Sequence, residues 1–259
     1  INKGIQYFVS NSIEDFDHFF ESKGDKYKAI VICGGDGTLN SSLKHIAKNK
    51  ALTLAVLPNG SGDGFASELG FKKDIRKLIN QLTTYKKEAV DLIQVNDDFS
   101  CNMTGIGFDS YVATEFAKRS KRGLSAYIYC TLRCLLNYKP ITAKITTKET
   151  TFEGEYFMIN IANTRQFGNN ALIAPEAKYN NGFIELVLVK KLPFYSIPSF
   201  VFNVFKGNLQ NSEYVQFHKV KELQIETTSK TYHVDGEPKE LLKPLQISMA
   251  GQFNIIKTA

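Results

Sequence analysis

The sequence lacks three features, each of which would have pointed to a particular class of protein. It has no run of about 20 apolar residues, the length needed to span a bilayer, so no transmembrane helix is expected. Its four cysteines form no Cys-x-x-Cys pair, and Cys130 and Cys134 have no histidine nearby to complete a zinc site. Internal repeats and low-complexity segments are absent. We therefore expect an ordinary globular protein of a reducing, cytoplasmic compartment.

Strong charge of either sign is also absent. The chain has 32 lysines and arginines against 26 aspartates and glutamates, a net charge of +6. This mild excess suits anionic ligands or an anionic membrane surface and does not by itself indicate a nucleic acid, so no nucleic-acid partner is predicted. A length of 259 residues allows one large domain or two modest ones, either with a substantial core.

The residue pattern changes near position 88. Before it, apolar runs at 28–33 and 52–57 alternate with helical patterns, which predicts an α/β domain with a parallel sheet over residues 1–88. After it, short β-rich runs predict a mainly antiparallel β-sandwich domain over residues 89–259. Three helical stretches interrupt these runs, at about 111–118, 124–137 and 194–205.

Two glycine-rich loops follow the two apolar runs. The first, Gly-Gly-Asp-Gly-Thr at 34–38, opens a helix, where backbone amides and the helix dipole favour an anion. The second, at 58–64, lies on the same rim of an open parallel sheet. Tight turns are the alternative for either loop alone, but the pair indicates a polyphosphate. The predicted phosphate-binding residues are Gly34, Gly35, Asp36, Gly37, Thr38, Gly60, Ser61 and Gly62.

The common phosphate-binding motifs do not account for these loops. The Walker A pattern is absent, as are the HRD and DFG motifs of protein kinases. Gly60, Gly62 and Gly64 alone are weak support for a Rossmann site, and no convincing acidic residue follows about 20 positions later. The chain must bind phosphate by another scheme.

The first loop resembles the nucleotide-loop signature of diacylglycerol kinases, sphingosine and ceramide kinases and their bacterial relatives, and NAD kinases share part of it. Residues 58–66 look like the second loop of these lipid kinases. Gly-Ile-Gly-Phe-Asp at 105–109 is similar to their second-domain motif, and Asp-Gly-Glu at 235–237 to their late acidic motif. The resemblance covers nearly the whole chain. The Gly-Ser-Gly of the second loop is closer to sphingosine and ceramide kinases.

This resemblance implies a lipid kinase that moves the γ-phosphoryl group of ATP, with Mg²⁺, onto the hydroxyl of a membrane lipid of the diacylglycerol or sphingoid base type. The first domain would bind the nucleotide and the second the lipid. The partner expected is a lipid at the inner face of the membrane, in peripheral contact, and a homodimer is left open. Two alternatives also stay open: a catalytically silent lipid- or nucleotide-binding regulatory module, and an NAD kinase.

The sequence departs from the family at its start. Members begin with a strand and an Asn-Pro-x-Ser-Gly loop that has no counterpart here. Residues 5–12 look instead like the family's second strand, and Ser10 stands where a nucleotide-contacting threonine is often found. We expect the first strand and helix to be missing from the sequence given rather than from the protein.

Phosphoryl transfer needs a metal and a group that orients or deprotonates the attacking hydroxyl, and carboxylates suit both tasks. Asp36 could hold Mg²⁺ or cap the helix that follows it. Asp235 and Glu237 alternate along a strand-like segment, which predicts that they share a face, and a solvated turn is the alternative. With the resemblance, all three are predicted to be catalytic, with Asp36 and Glu237 as metal ligands and Asp235 or Asp36 as the base.

Two further residues follow from the resemblance. Asp109 matches an aspartate that contacts the lipid head group in sphingosine kinases, and the alternative is a helix N-cap. Arg122, in the basic run 118–122, would contact the ATP phosphates, and a solvated helix end is the alternative. The apolar helical stretches at 124–136 and 192–209 would line the lipid pocket, dock on the bilayer or belong to the core. No catalytic role is predicted for the scattered histidines, His18, His45, His218 and His233.

Overall fold

The computed structural model describes residues 5–60, 62–83, 86–120 and 123–258, so the predictions for Ser61 and Arg122 lie outside the described residues. The N-terminal part alternates helices with two strands and ends in a helix. Its elements are α1 (Ile13–Lys23), β1 (Ala29–Gly34), α2 (Asp36–Lys48), β2 (Thr53–Pro58), α3 (Gly64–Glu68) and α4 (Ile75–Thr83).

The remainder is mainly strands, with three helices between them. The elements are β3 (Lys87–Val95), β4 (Asp98–Ser100), β5 (Met103–Gly107), α5 (Phe108–Ala117), α6 (Leu124–Asn137), β6 (Ile141–Thr147), β7 (Thr151–Ala162), β8 (Ile184–Lys190), α7 (Ile197–Lys206), β9 (Val215–Val220), β10 (Glu222–Thr227), β11 (Thr231–Val234), β12 (Glu237–Glu240) and β13 (Leu245–Ile256). Short 3₁₀ turns precede and follow α7.

The first two strands form the parallel sheet that the apolar runs predict. Gly34 at the end of β1 is level with Pro58 at the end of β2, so the two glycine loops leave the sheet side by side. Strands β5 to β12 are paired antiparallel. The predicted fold class, an α/β part with a parallel sheet and a mainly antiparallel β-sandwich part, is confirmed.

The last strand joins the two parts. Near its C-terminus β13 pairs in parallel with β2, while along its length it pairs antiparallel with β3. A register shift between Met249 and Gly251, where Gly251 has φ +105, bends the strand between its two sets of neighbours. The boundary predicted near residue 88 thus lies inside β3, beside the strand that joins the parallel part of the sheet to the antiparallel part.

Apolar side chains fill three main regions of the interior. One lies between the parallel strands and the helices of the N-terminal part and includes Leu43, Leu54 and Phe253. A second lies inside the antiparallel part, and a third lies beneath α7 and contains Phe157. Burying each such side chain stabilises the fold by about 1.5–3 kcal/mol. These regions therefore fix the positions of the strands and helices from which the glycine loops extend.

One strand prediction is wrong. Residues 5–10 form no strand, and Tyr7 and Val9 are largely exposed. A β-strand is stabilised by ladder hydrogen bonds to a neighbour, whereas this segment is held by side chains, with Phe8 stacked on Phe19 and Gln6 accepting from the Tyr27 hydroxyl. Ser10 therefore lies in an exposed segment before α1. Within the described residues, no helix has both the length and the apolar character needed to cross a bilayer.

Candidate active site

The two glycine loops touch backbone to backbone. A Cβ atom added to Gly35 would lie 3.1 Å from the Cα atom of Gly60, and one added to Gly34 would lie 2.6 Å from the Thr38 hydroxyl. Gly62, by contrast, faces open space. Since Gly35 is also the N-cap of α2, the first amides of a thirteen-residue helix point into this rim, and they favour an anion.

Asp36 links one loop to the other. Its carboxylate accepts hydrogen bonds from the backbone amides of Gly64, at 2.9 Å, and Phe65, at 3.3 Å. Asp36 therefore caps α3, on the other glycine loop. The alternative considered from the sequence was that it caps its own helix, α2. Burial raises the pKa of Asp36 to about 6, the two amides oppose the shift, and the charges of Asp235 and Asp63 add to it.

The second loop is closed by its own aspartate. Asp63 has φ +46, a left-handed conformation that Asp and Asn tolerate, and its carboxylate accepts from the amide of Gly60 at 2.9 Å. Gly64 has no room for a side chain, because a Cβ there would lie 2.5 Å from the carbonyl oxygen of Phe167. The loop is thereby fixed both internally and against the segment after β7.

Asp235 is buried and its carboxylate is surrounded by donors. Three are consecutive backbone amides and the others are side chains, so both oxygens are occupied. The donors are the amides of Cys101, Asn102 and Met103, at 2.9–3.1 Å, the Ser100 hydroxyl at 2.6 Å and the Asn40 amide nitrogen at 2.9 Å. Asp235 thus ties α2 and the β4–β5 connection to the end of β11, an anchoring role that its sequence context did not suggest.

The prediction that Asp235 and Glu237 share one face of a strand is wrong. Asp235 and Gly236 have φ +50 and +89 and form the two-residue turn of the β11–β12 hairpin, in which Val234 pairs with Glu237. This is the turn favoured by the Asp-Gly pair itself, a signal present in the sequence. Asp235 consequently points inward, whereas Glu237 is exposed.

Glu237 reaches the first glycine loop from this hairpin. Its carboxylate lies directly against Gly37, so that a Cβ atom there would overlap it. Asp36 and Glu237 therefore flank the N-terminus of α2. Within the described ranges, no three His, Cys, Asp or Glu side chains are grouped to hold a metal by themselves. One or two carboxylates beside a phosphate-binding rim suit Mg²⁺, which is usually shared between a protein and its substrate's phosphates.

Asp109 lies in a separate buried cluster at the start of α5. Its carboxylate accepts from the amide of Ser110 at 2.8 Å, from the side-chain nitrogen of Asn160, and from Nε2 of His233 at 3.2 Å. Asp109 is in the first turn of α5 rather than before it, because the helix begins at Phe108. No catalytic role was predicted for the histidines, and His233 is buried with a partner at each ring nitrogen, which the β5–β11 pairing brings into place.

An aromatic wall stands beside this cluster. Tyr138 donates its hydroxyl hydrogen to the carbonyl oxygen of Phe157 at 2.8 Å, and both rings contact Phe108. Burial raises the pKa of the Tyr138 phenol, and the charge of Asp109 contributes. Phe157 also contacts Phe200 of α7, so the wall connects the polar cluster to the third apolar region.

Helices α6 and α7 are only partly buried, so neither is simply core. Cys130 and Cys134 of α6 and Phe200 and Val204 of α7 face the interior. Several large apolar side chains on both helices and on the turn before α7 are exposed. They are Tyr127, Ile128, Tyr129, Leu132, Leu136, Phe194, Tyr195, Val201, Phe202 and Phe205.

Two sequence families match this chain. Residues 2–95 match the family described as "Diacylglycerol kinase catalytic domain". Residues 102–253 match the family described as "YegS C-terminal NAD kinase beta sandwich-like domain". Together they extend over both the parallel and the antiparallel parts of the fold.

Relatives that match most of the chain carry corresponding names. The chain is 28% identical over 225 residues to a "Probable lipid kinase YegS-like" of Shewanella frigidimarina, covering 84% of this chain and 72% of that protein. It is 24% identical over 217 residues to a "Diacylglycerol kinase" of Bacillus subtilis, covering 82% and 72%. A putative diacylglycerol kinase structure from Bacillus anthracis shares the fold, with a TM-score of 0.78 at 24% identity, covering 97% and 85% of the two chains.

Proposed function

Because this chain belongs to the bacterial lipid kinase family that joins a diacylglycerol kinase catalytic domain to a YegS-type β-sandwich domain, we propose that it transfers the γ-phosphoryl group of ATP to the hydroxyl of a membrane lipid. The observation that carries the proposal is the convergence of Asp36 and Glu237 on the N-terminus of α2, between two glycine loops. Positioning and electrostatic stabilisation are most of what phosphoryl transfer asks of a protein.

The rim can receive the phosphates of ATP. The glycines let phosphate oxygens approach the backbone, and the amides at the start of α2 supply hydrogen-bond donors. Mg²⁺, when bound, would neutralise part of the phosphate charge, and Asp36 and Glu237 would hold it. Among the described residues, we assign nucleotide binding to Gly34, Gly35, Gly37, Thr38, Gly60 and Gly62.

Of the two bases considered, Asp36 suits the task better than Asp235. Asp235 already accepts from five N–H and O–H donors and is 6% exposed, so a substrate hydroxyl would have to displace donors to reach it. Asp36 is partly exposed, and it accepts hydrogen bonds from two backbone amides, those of Gly64 and Phe65. We assign proton acceptance to Asp36 and leave Asp235 as the anchor of the hairpin.

For the acceptor, the Asp109 cluster favours an uncharged head group. Three protein donors already satisfy this carboxylate, and it is 9% exposed. An ammonium group would have to displace one of them, whereas a glycerolipid hydroxyl needs no counter-charge. Diacylglycerol is therefore proposed ahead of a sphingoid base, although the second loop is closer to the sphingosine kinase form.

In this proposal the protein binds its lipid substrate at a membrane surface. The exposed apolar side chains of α6 and α7 lie in two segments without any acidic residue, from 116 to 148 and from 186 to 212, which contain eleven lysines and arginines. Apolar and basic groups together suit peripheral contact with anionic lipid. We refer to the ten exposed apolar residues named above as the α6–α7 face.

The test is a transfer assay with labelled ATP, Mg²⁺ and micelles that contain diacylglycerol, sphingosine, ceramide or a polyprenol. We expect product with diacylglycerol, and a loss of at least about a hundredfold in Asp36→Asn. Asp74→Asn is the matched control, because Asp74 also accepts from two backbone amides, of Arg76 and Lys77, at the start of another helix. Binding of MgATP without product on any lipid would favour the silent module.

A further inference from the structure

His233 connects the two halves of the candidate site. The side chain is 4% exposed and contacts Asp109 through Nε2, at 3.2 Å. Its other ring nitrogen, Nδ1, lies 3.2 Å from the backbone nitrogen of Gly236. One imidazole thus touches both the Asp109 carboxylate and the turn that presents Glu237.

These two contacts determine the tautomer of the ring. The Gly236 amide can only donate, so Nδ1 must be the unprotonated nitrogen that accepts. The hydrogen of a neutral ring is then on Nε2 and is donated to the Asp109 carboxylate. A neutral His233 satisfies both neighbours, whereas a ring turned over, or doubly protonated, would set two donors against each other at Gly236.

The sequence around the ring makes room for it. His233 is level with Gly105 on the adjacent strand, and a Cβ atom at Gly105 would overlap both the Asp109 carboxylate and the His233 ring. Because the first glycine of the Gly-Ile-Gly-Phe-Asp motif has no side chain, Asp109 of α5 and His233 of β11 can come into contact beside it.

The turn needs such a support. Asp235 is held by hydrogen bonds to its carboxylate, but Gly236 has φ +89 and open space where a Cβ atom would lie, and its amide donates to the His233 ring. We propose that His233 is a positioning residue that fixes Asp109 and the Asp235–Gly236 turn relative to each other. The lipid hydroxyl and the γ-phosphoryl group of ATP are thereby aligned. This rests on the proposed kinase function.

Two substitutions separate the two contacts. His233→Gln places an amide nitrogen near the Nε2 position and keeps the Asp109 contact, but loses the acceptor for Gly236. His233→Asn places an oxygen near the Nδ1 position and keeps the acceptor, but does not reach Asp109. Loss of one hydrogen bond in a site corresponds to about tenfold in rate or affinity.

In the micelle assay, we expect kcat of His233→Gln to fall about tenfold, with the lipid KM within about twofold of the wild type. For His233→Asn we expect the lipid KM to rise about tenfold, with kcat within about twofold of the wild type. The KM for ATP should not change in either. His218→Asn and His218→Gln are controls, because His218 is on the edge strand β9 and its Nε2 has no hydrogen-bond partner. Equal losses in every parameter in both His233 variants, or no loss in either, would overturn the proposal.

A second readout does not require turnover. Nitrogen NMR of the wild-type imidazole should show the hydrogen on Nε2, and exchange of the Gly236 amide hydrogen should be about tenfold faster in His233→Gln than in His233→Asn. A chain that phosphorylates no lipid contradicts the kinase. An active kinase whose His233 carries its hydrogen on Nδ1 contradicts only the positioning role.

Discussion

The carboxylate of Asp36 accepts a hydrogen bond from the amide of Gly64, at 2.9 Å, although the two residues begin different helices. The first residue of α2 thus caps α3, and the two glycine loops are joined by a side chain as well as by the contact of Gly35 with Gly60. In the proposed function, a phosphate bound at one loop would be held in a fixed position relative to the other, which is the preorganisation that phosphoryl transfer needs.

Asp36 makes the stability of the ligand-free protein depend on pH. Its folded pKa, about 6, is above the ordinary value of 3.8, so the folded state binds the proton more tightly than the unfolded state. This contribution to stability is present below pH 3.8 and is lost as the pH rises through about 6, at up to about 1.4 kcal/mol per pH unit.

Urea unfolding between pH 4.5 and 7.5, with a chelator and no nucleotide, measures the effect. The free energy of unfolding of the wild type should fall relative to that of Asp36→Asn by about 2 kcal/mol over this range. Curves for the two proteins that stay parallel would show that the carboxylate titrates normally.

Asp235 and Glu237, two residues apart, should respond differently to loss of charge. In Asp235→Asn an amide group would face the backbone donors of Cys101, Asn102 and Met103, so we expect a loss of about 2–4 kcal/mol in the free energy of unfolding. Glu237→Gln should unfold within about 0.5 kcal/mol of the wild type, because the side chain is exposed.

The activities complete this comparison. Glu237→Gln should lower kcat by at least about tenfold while the protein remains stable, which chemical denaturation and the transfer assay together would establish. A stable Asp235→Asn protein with normal activity would contradict the anchoring role.

Gly105 should not tolerate a methyl group. In Gly105→Ala the Cβ atom would overlap Asp109 and His233, so we expect a destabilisation of about 1–3 kcal/mol and a loss of lipid phosphorylation. Gly154→Ala, in β7, is the matched control, because its Cβ atom would meet only the Tyr156 ring, at 3.9 Å. Thermal melts measure the difference in stability between the two variants. Equal midpoints would contradict the close packing of Asp109 and His233 around Gly105.

The α6–α7 face should matter only where there is a bilayer. Tyr195 and Phe202 are 81% and 61% exposed, so Tyr195→Glu and Phe202→Glu should leave folding intact. We expect each to lower activity on vesicles with anionic lipid about tenfold, and to have little effect in detergent micelles. Leu242→Glu is the control, since Leu242 is 88% exposed but lies between β12 and β13. Equal losses for all three variants would refute docking through this face.

Much of the fold could be predicted because it follows from local patterns. Apolar runs that end in glycine predict buried parallel strands, and β1 and β2 end at Gly34 and Pro58 as expected. The helix over Leu124–Asn137 was predicted with the bounds it has. The strand expected at residues 5–12 came from the family resemblance and is absent, because a segment becomes a strand only when a neighbour supplies hydrogen bonds, and a resemblance in sequence does not supply that neighbour.

The sequence by itself determined the order of strands and helices, the two glycine loops, and the acidic residues within those loops, because each depends on residues close together in the chain. Tertiary structure alone decided that Asp36 caps α3, that Asp235 is buried among amides while Glu237 is exposed, and that His233 meets Asp109. These pairs are separated by up to 134 residues, as between Cys101 and Asp235, and only the register of paired strands brings such groups within hydrogen-bond distance.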